Sequence, residues 1–167
     1  MLFGYQTLPG GDVLILAGDI CEDKRYAKCF QNTKPVDHTP GMFPFTDFFE
    51  IECAKYNQVF YVMGNHEHYG YKFDKTLDQL KANMPGNVTL LEKSAEEYEG
   101  VVFVGGTLWT DCNNNDPVTM YTLQHSMNDY RVITKHYKDK GLYYRLTPEV
   151  TIAEHRKTKE FISDTVA

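Results

Sequence analysis

The chain has 167 residues, of which 42% are hydrophobic and 24% charged, a composition typical of one folded domain with its own core. Its 17 basic and 23 acidic residues give a net charge of -6. This charge argues against a nucleic acid as a stable partner, because phosphate contacts come mainly from Lys and Arg. We therefore expect a single globular domain over residues 1–167.

The sequence also bears on where the protein works. No apolar run approaches the roughly 20 residues that cross a bilayer, and no basic segment followed by an apolar one opens the chain. None of the four cysteines forms a Cys-x-x-Cys pair, which argues against a zinc ribbon or a disulfide scaffold; they are Cys21, Cys29, Cys53 and Cys112. These features predict a cytoplasmic protein with reduced thiols and no membrane partner.

Two apolar strands in the first half of the chain each end in a glycine followed by a polar residue. Residues 12–17 have the continuous apolar character of a strand that is covered on both faces, and Gly18-Asp19 follows. Residues 58–63 form a second strand, which ends at Gly64-Asn65-His66-Glu67. Ligands bind at the carboxyl ends of strands in open α/β sheets, so these two strand ends predict a functional site.

A long polar loop and a helix separate the two strands. Residues 18–44 form the loop, and loops of that length in compact domains usually carry function. From Pro44 the apolar residues follow helical spacing, with one face formed by Phe45, Phe48, Phe49, Cys53 and Tyr56. That face is most simply part of the core.

The second half of the chain alternates strands and helices, which indicates the α/β class. We expect strands at 87–91 and 101–104, with the segment from Ser94 to Tyr98 pairing with the latter across Glu99-Gly100. Helices are predicted over 74–84, from Pro117 to about Ser126, and from Thr147-Pro148 through Phe161. The charged run Lys135 to Lys140 is interpreted as a solvated face.

The residue types at the two strand ends suit metal and proton chemistry. An Asp carboxylate and an Asn carbonyl oxygen are hard ligands for divalent cations, and a histidine titrates near neutrality. A turn cap at Asp19 and a turn with a solvent-facing His66 are the simpler alternatives. The occurrence of both motifs, each after an apolar run, favours the functional interpretation.

These residues resemble a known family. Leu16-Ala17-Gly18-Asp19 and Gly64-Asn65-His66-Glu67 are similar to the second and third signature blocks of the calcineurin-like metallophosphoesterases, and the 46 positions from Asp19 to Asn65 (65 minus 19) also fit. The resemblance covers nearly the whole chain, as in bacterial and phage members, through Gly105 to Asp111, Met127 to Tyr130, and Leu146 to Phe161.

The resemblance implies a fold, a reaction and a set of roles. The fold would be a two-layer β-sandwich flanked by helices (α/β/β/α), and the protein would be a hydrolase that cleaves a phosphate ester with two divalent metal ions, such as Mn, Fe, Zn or Mg. Asp19 would bridge the metals, and Asn65 would bind the second metal. His66 would be the catalytic residue at the leaving-group oxygen, and Glu67 would orient it. His68 would contact the substrate, with an exposed loop histidine as the alternative.

The sequence departs from the family at both ends of the pattern. The first block, Asp-x-His, is missing, since no histidine precedes His38 and only Asp12 precedes Asp19 as an aspartate. The last histidine blocks also have no counterpart. Glu22 or Asp23 stands where the family often has an aspartate, and the sequence does not choose between them.

Two hypotheses follow from these departures. The first is a metal-dependent phosphoesterase, whose substrate the fold alone does not select. The second is a truncated or split phosphoesterase that is catalytically incompetent alone and acts as a binding or structural module, or is completed by another chain. Missing strands would leave sheet edges and apolar faces uncovered, so we expect a homo-oligomer or a completing chain.

Several residues near the two motifs keep open interpretations. Cys21 is either a reactive thiol or, more simply, a buried spectator. Asp111, Asn128 and Asp129 are either polar neighbours of the substrate or loop and cap residues. The aromatic run of Tyr69, Tyr71 and Phe73 is either a ring-stacking lip or loop packing.

Overall fold

The computed structural model describes residues 7–21, 48–137 and 141–167, which form a mixed α/β architecture, as the sequence predicted. Within these residues there are seven strands: β1 (Gly11–Leu16), β2 (Tyr56–Tyr61), β3 (Val88–Leu90), β4 (Ser94–Tyr98), β5 (Val101–Gly105), β6 (Thr134–Tyr137) and β7 (Leu142–Arg145). The same ranges contain the helices α1 (Thr76–Lys81), α2 (Pro117–Ser126), α3 (Asp129–Val132) and α4 (Pro148–Val166). Shorter helical turns occupy Phe48–Glu52, Cys53–Lys55, His66–His68 and Cys112–Asn115, and the last of these has left-handed backbone angles.

A three-stranded parallel sheet in the order β1-β2-β3 forms the first layer. Leu16 pairs with Tyr61, and Tyr61 pairs with Leu90, so the strands end at the same edge of the sheet. The parallel direction brings the segments after β1 and β2 side by side. This placement is the one that the strand-end motifs predicted.

The β4–β5 hairpin forms a second layer over the middle strand of that sheet. The rings of Phe60 on β2 and Phe103 on β5 stack with their centroids 4.0 Å apart, and Tyr98 on β4 approaches Phe60 edge-on at 6.5 Å. The connection is the predicted Glu99-Gly100 turn, where both residues have positive φ, a geometry that matches the twist of paired strands.

The prediction that β1 is covered on both faces is wrong. Among the described residues β1 pairs only with β2, and Ile15 remains 63% exposed, whereas its register partner Phe60 is only 3% exposed. The hairpin covers Phe60 but leaves Ile15, on the same face of the neighbouring strand, open. Apolar character alone does not tell an edge strand from a central one, because burial depends on which neighbours are present.

The main core lies beneath the parallel sheet. The predicted helical face contributes Phe49 and Cys53, which are at most 1% exposed, although the backbone there forms two short helical turns rather than a regular α-helix. Phe45 lies outside the described residues. Glu52 is also buried, and its carboxylate is paired with Lys55 at 2.7 Å and accepts a hydrogen bond from the Leu8 backbone.

A second apolar cluster supports a hairpin that the sequence did not predict. β6 pairs antiparallel with β7, so much of the segment interpreted as a solvated charged run is strand; Lys138 to Lys140 lie outside the described residues. Buried Ile133 and Leu146 close the base of this hairpin, and the Leu146 N–H donates to the Ile133 carbonyl at 3.0 Å. The strand sequences are too polar to show an alternating apolar pattern.

The helices agree better with the sequence. α2 has the predicted bounds, and its first turn is capped by the Asp116 carboxylate, which accepts from the Thr119 N–H at 2.7 Å. α4 begins at Pro148 as predicted and continues to Val166, beyond the predicted Phe161. No helix among the described residues is long and apolar enough to cross a membrane.

Candidate functional site

The carboxylate of Glu67 joins the two strand ends. Its side chain is fully buried and accepts five hydrogen bonds, four from backbone N–H groups and one from a phenol. One oxygen accepts from the N–H groups of Asp19 (3.1 Å) and Gly64 (2.7 Å). The other accepts from the N–H groups of Ile20 (2.7 Å) and Cys21 (3.2 Å) and from the Tyr61 hydroxyl (2.6 Å).

This arrangement satisfies a buried charge that would otherwise be costly. The donors come from the segment after β1 and from the turn after β2, so the carboxylate fixes both segments relative to each other. Burial raises the pKa of the Tyr61 phenol well above its ordinary value, with Cys21 and the Glu67 charge adding to the shift, so Tyr61 remains a donor. The Glu67 carboxylate thus holds the backbone at Asp19 and at Gly64, two residues before His66.

The glycines of both motifs allow the two segments to touch. A Cβ on Gly18 would lie 2.7 Å from the Gly64 nitrogen and 2.9 Å from its Cα, and Gly18 has a φ of 94°. A Cβ on Gly64 would collide with the Asp19 carboxylate. Asp19 itself has a left-handed backbone, with φ 57°, and its Oδ1 accepts from the His66 N–H at 3.0 Å. Neither glycine tolerates a side chain at this contact.

The Asn65 amide is oriented by a carboxylate from a distant part of the chain. Its Nδ2 donates to Oδ1 of Asp129 at 2.6 Å and lies 3.3 Å from the Tyr69 hydroxyl. Asp129 is 3% exposed, and its other oxygen accepts from the Tyr69 hydroxyl at 3.3 Å. Because an ionised carboxylate only accepts, the amide nitrogen must face Asp129, which turns the Asn65 carbonyl oxygen away from it.

The His66 imidazole is exposed and lies on an aromatic ring. It stacks on Tyr69 with ring centroids 4.4 Å apart and an angle of 27° between the planes. Burial, together with the nearby Asp129 charge, raises the pKa of Tyr69 to about 12, so its hydroxyl keeps its proton. Tyr69 therefore contacts two side chains of the motif, Asn65 through its hydroxyl and His66 through its ring.

A concave pocket of about 460 Å³ opens beside Asn65 and Asp129. Its other walls come from the end of β2, the segment after β5 and the start of α3, and include Thr107, Leu108, Trp109 and Met127. The pocket is of the size that small organic ligands occupy. Its lining combines the polar side chains of Asn65 and Asp129 with large apolar side chains.

The wall formed by residues 106–110 is held on two sides. On one side the Thr107 N–H donates to the Glu92 carboxylate at 2.9 Å. On the other side α4 contributes two donors: the Thr158 hydroxyl to the Thr107 carbonyl at 3.0 Å, and His155 Nδ1 to the Trp109 carbonyl at 2.5 Å. Sequence reasoning missed this role of α4, because partners 46 and 51 positions apart leave no local pattern.

His68 lies behind the site rather than at its surface. It is 3% exposed, its ring stacks on Phe73 at 4.7 Å, and its Nδ1 is 2.9 Å from the Thr76 hydroxyl. Thr76 donates its own proton to the Lys72 carbonyl, so His68 Nδ1 is the donor to Thr76. The alternative of an exposed loop histidine is wrong, and this burial does not favour contact with a substrate. Burial lowers the pKa of His68 to about 3.

The structure brings Asp19, Asn65 and Glu67 together with His66, as their motifs predicted, and it adds Asp129. Asp129 is therefore neither a solvated loop residue nor only a cap, whereas Asp111 and Asn128 are exposed.

Cys21 is 2% exposed, which agrees with a buried spectator thiol. Phe73 packs in the second apolar cluster, which favours loop packing for that residue. Glu22 and Asp23 lie outside the described residues.

The donor types at the strand ends suit a divalent cation in part. Asp19 offers a carboxylate and Asn65 an amide oxygen, both of the kind that hard cations prefer. Within residues 7–21, 48–137 and 141–167, however, no group of three or more His, Cys, Asp or Glu side chains converges as a metal site. At the strand ends the described residues thus offer one carboxylate and one amide oxygen of this kind.

Comparison with known proteins places this geometry in context. A family model described as calcineurin-like phosphoesterase matches residues 4–161. An uncharacterized protein of Acanthamoeba polyphaga mimivirus is 28% identical over 132 residues, which cover 73% of this chain and 39% of that relative. The chain therefore spans about two fifths of the length of the curated relative that it matches. No solved structure matches the chain significantly.

Replacing Glu67 by Gln tests the buried carboxylate. The amide keeps one acceptor oxygen and turns an NH₂ group toward backbone N–H donors, so we expect the free energy of unfolding to fall by about 3 kcal/mol. Urea unfolding measures this change. Glu96→Gln, at an exposed position on β4, should change it by less than about 0.5 kcal/mol. Equal stability of the two variants would contradict the arrangement.

The buried His68 predicts a pH dependence of stability. Its folded pKa of about 3 lies below the ordinary value of 6.5, so its contribution is complete above pH 6.5 and is lost as the pH falls toward 3. The slope is about 1.4 kcal/mol per pH unit. The difference in the free energy of unfolding between the wild type and His68→Gln should therefore fall by about 2 kcal/mol as the pH is lowered from 7.5 to 5.

Urea unfolding of both proteins at both pH values measures that difference in the free energy of unfolding. His125→Gln changes an exposed histidine on α2 and provides the matched control, because its difference from the wild type should hold nearly constant. A His68→Gln curve that runs parallel to the wild type across this range would refute a neutral buried imidazole.

Proposed function

Because the chain belongs to the calcineurin-like phosphoesterase family, we propose that it carries out metal-dependent hydrolysis of a phosphate ester. The observation that supports this most is the convergence of Asp19, Asn65 and His66 at one sheet edge, where the Glu67 carboxylate joins the segments that carry them. The pocket beside Asn65 gives a substrate access to that edge. The expected reaction class is displacement at phosphorus.

We assign the roles from the chemistry of each side chain. Asp19 and Asn65 hold the metal ions through their carboxylate and amide oxygens. Two divalent cations, when bound, supply positive charge that stabilises the phosphoryl group during displacement. His66 holds a proton near the leaving-group oxygen, or stabilises charge on the phosphoryl group, from an exposed position on the Tyr69 ring.

Asp129 acts in this proposal as a positioning residue. Its carboxylate accepts a hydrogen bond from the Asn65 Nδ2, which leaves the amide oxygen free to bind the proposed metal ion. A 2.6 Å bond to a buried charge is strong enough to fix the amide plane. The residues that orient a metal ligand affect affinity nearly as much as the ligand itself.

A second candidate is a phosphoesterase portion that needs further ligands from elsewhere. The described residues lack a cluster of three metal-competent side chains, and the chain corresponds to 39% of its viral relative. Ile15 is also exposed on β1, which pairs only with β2 among the described residues, and this favours a further neighbour for that strand. In this version the chain binds metal only after a second copy or another chain completes the site.

Calorimetric titration with Mn²⁺ tests the first candidate and separates it from the second. We expect saturable binding by the chain, and binding at least tenfold weaker in Asp19→Asn, because the amide loses the charge that attracts the cation. Asp12→Asn is the matched control, since Asp12 is exposed on β1 and bonds only Asn57 among the described residues. An absence of binding by the isolated chain would reject the autonomous enzyme.

The positioning role of Asp129 predicts a separate result. Asp129→Asn should weaken Mn²⁺ binding about tenfold while the fold is kept, because the Asn65 amide is then no longer held by a charged acceptor. Asp111→Asn makes the same chemical change at an exposed site and should leave affinity unaltered. Circular dichroism checks folding. A normal Mn²⁺ affinity in Asp129→Asn would exclude the positioning role.

A further inference from the structure

Two of the residues that line the pocket have large, exposed apolar side chains. Leu108 is 60% exposed and Met127 is 37% exposed, and both line the cavity that also holds Asn65 and Asp129. Scattered apolar residues are normal on a protein surface, but apolar residues that share a concave site with converging polar groups indicate a binding site. The position of these side chains therefore bears on what the pocket accepts.

Hydrogen bonds hold the backbone on both sides of Leu108, so this exposed side chain projects from an ordered segment. The carbonyl before it, on Thr107, accepts from Thr158 at 3.0 Å, and the carbonyl after it, on Trp109, accepts from His155 at 2.5 Å. Both donors belong to α4. A ligand that covers Leu108 therefore does not have to order this segment first, which lowers the entropic cost of binding.

The pocket lining combines polar and apolar side chains. Asn65 and Asp129 supply an amide and a carboxylate, and Asn65 is also assigned to the proposed phosphate chemistry. The apolar lining residues include Leu108, Met127 and the half-buried Trp109. Thioethers and aromatic rings make favourable contacts with aromatic rings, beyond the gain from area burial.

We propose that the site takes an aryl phosphate, in which the bond between phosphorus and the ring-bound oxygen breaks and the aryloxide leaves as the phenol once it takes up a proton. The phosphate lies at Asn65, and the ring lies against Leu108, Met127 and Trp109. This inference rests on the proposed function, because that function places the phosphate at Asn65. Leu108 and Met127 are then the residues that determine specificity, and they distinguish aryl phosphates from inorganic phosphate.

The single tryptophan makes binding observable without catalysis. Trp109 is the only tryptophan in the chain and lines the pocket, so its fluorescence reports occupancy. In the presence of Mg²⁺, the chain is titrated with phenyl phosphate and, separately, with inorganic phosphate. We expect both to bind, and Leu108→Ser to weaken phenyl phosphate about tenfold while leaving inorganic phosphate unchanged.

Leu142→Ser is the matched control, because Leu142 is 58% exposed but lies on β7, outside the pocket lining. It should leave both affinities unchanged, and Met127→Gln should repeat the selective loss if Leu108→Ser fails to fold. If the folded Leu108→Ser and Met127→Gln variants bound phenyl phosphate as tightly as the wild type, the inference would be overturned and the proposed function would still stand. A chain that responds to neither ligand would overturn both.

Discussion

A single buried carboxylate holds the candidate site together. Two parallel strands end at the same sheet edge, but parallel pairing alone does not determine the path of the chain beyond them. Glu67 determines it, because its two oxygens accept from four backbone N–H groups in the two emerging segments. A charged acceptor in a water-free position makes each of these bonds stronger than a neutral one would be. The left-handed Asp19 and the close contact of Gly18 with Gly64 depend on this closure.

A second level of support comes from residues distant in sequence. Asp129 orients Asn65 from 64 positions away, and α4 holds the pocket wall through Thr158 and His155. Polar groups near the pocket are therefore paired with the protein before any ligand arrives. Such preorganisation is the usual way in which a binding site avoids paying for order at the moment of binding. The same hydrogen bonds explain why the segment that carries the exposed Leu108 is ordered.

Most elements followed from local patterns, and the exceptions share one cause. β2, the β4–β5 hairpin, α2 and the start of α4 were predicted because apolar runs, a Glu-Gly turn and an Asp or Thr followed by proline act within a few residues. The exposure of β1 was mispredicted, and the β6–β7 hairpin was missed. Ile15 is exposed on a strand that pairs on only one side within the part of the chain that the structure describes, and the β6–β7 hairpin is closed by Ile133 and Leu146, which flank polar strands.

The sequence by itself determined the chemistry of the two strand ends. Glycine followed by Asp19, and Gly64-Asn65-His66-Glu67 after an apolar strand, place a carboxylate, an amide and an imidazole at one edge, because strand direction and glycine geometry are local properties. Only the tertiary structure decided what each neighbour does. It buried His68, made Glu67 an acceptor of five bonds, and brought Asp129 to Asn65. Those roles depend on which distant groups share a water-excluded volume, and packing of the whole chain sets that volume.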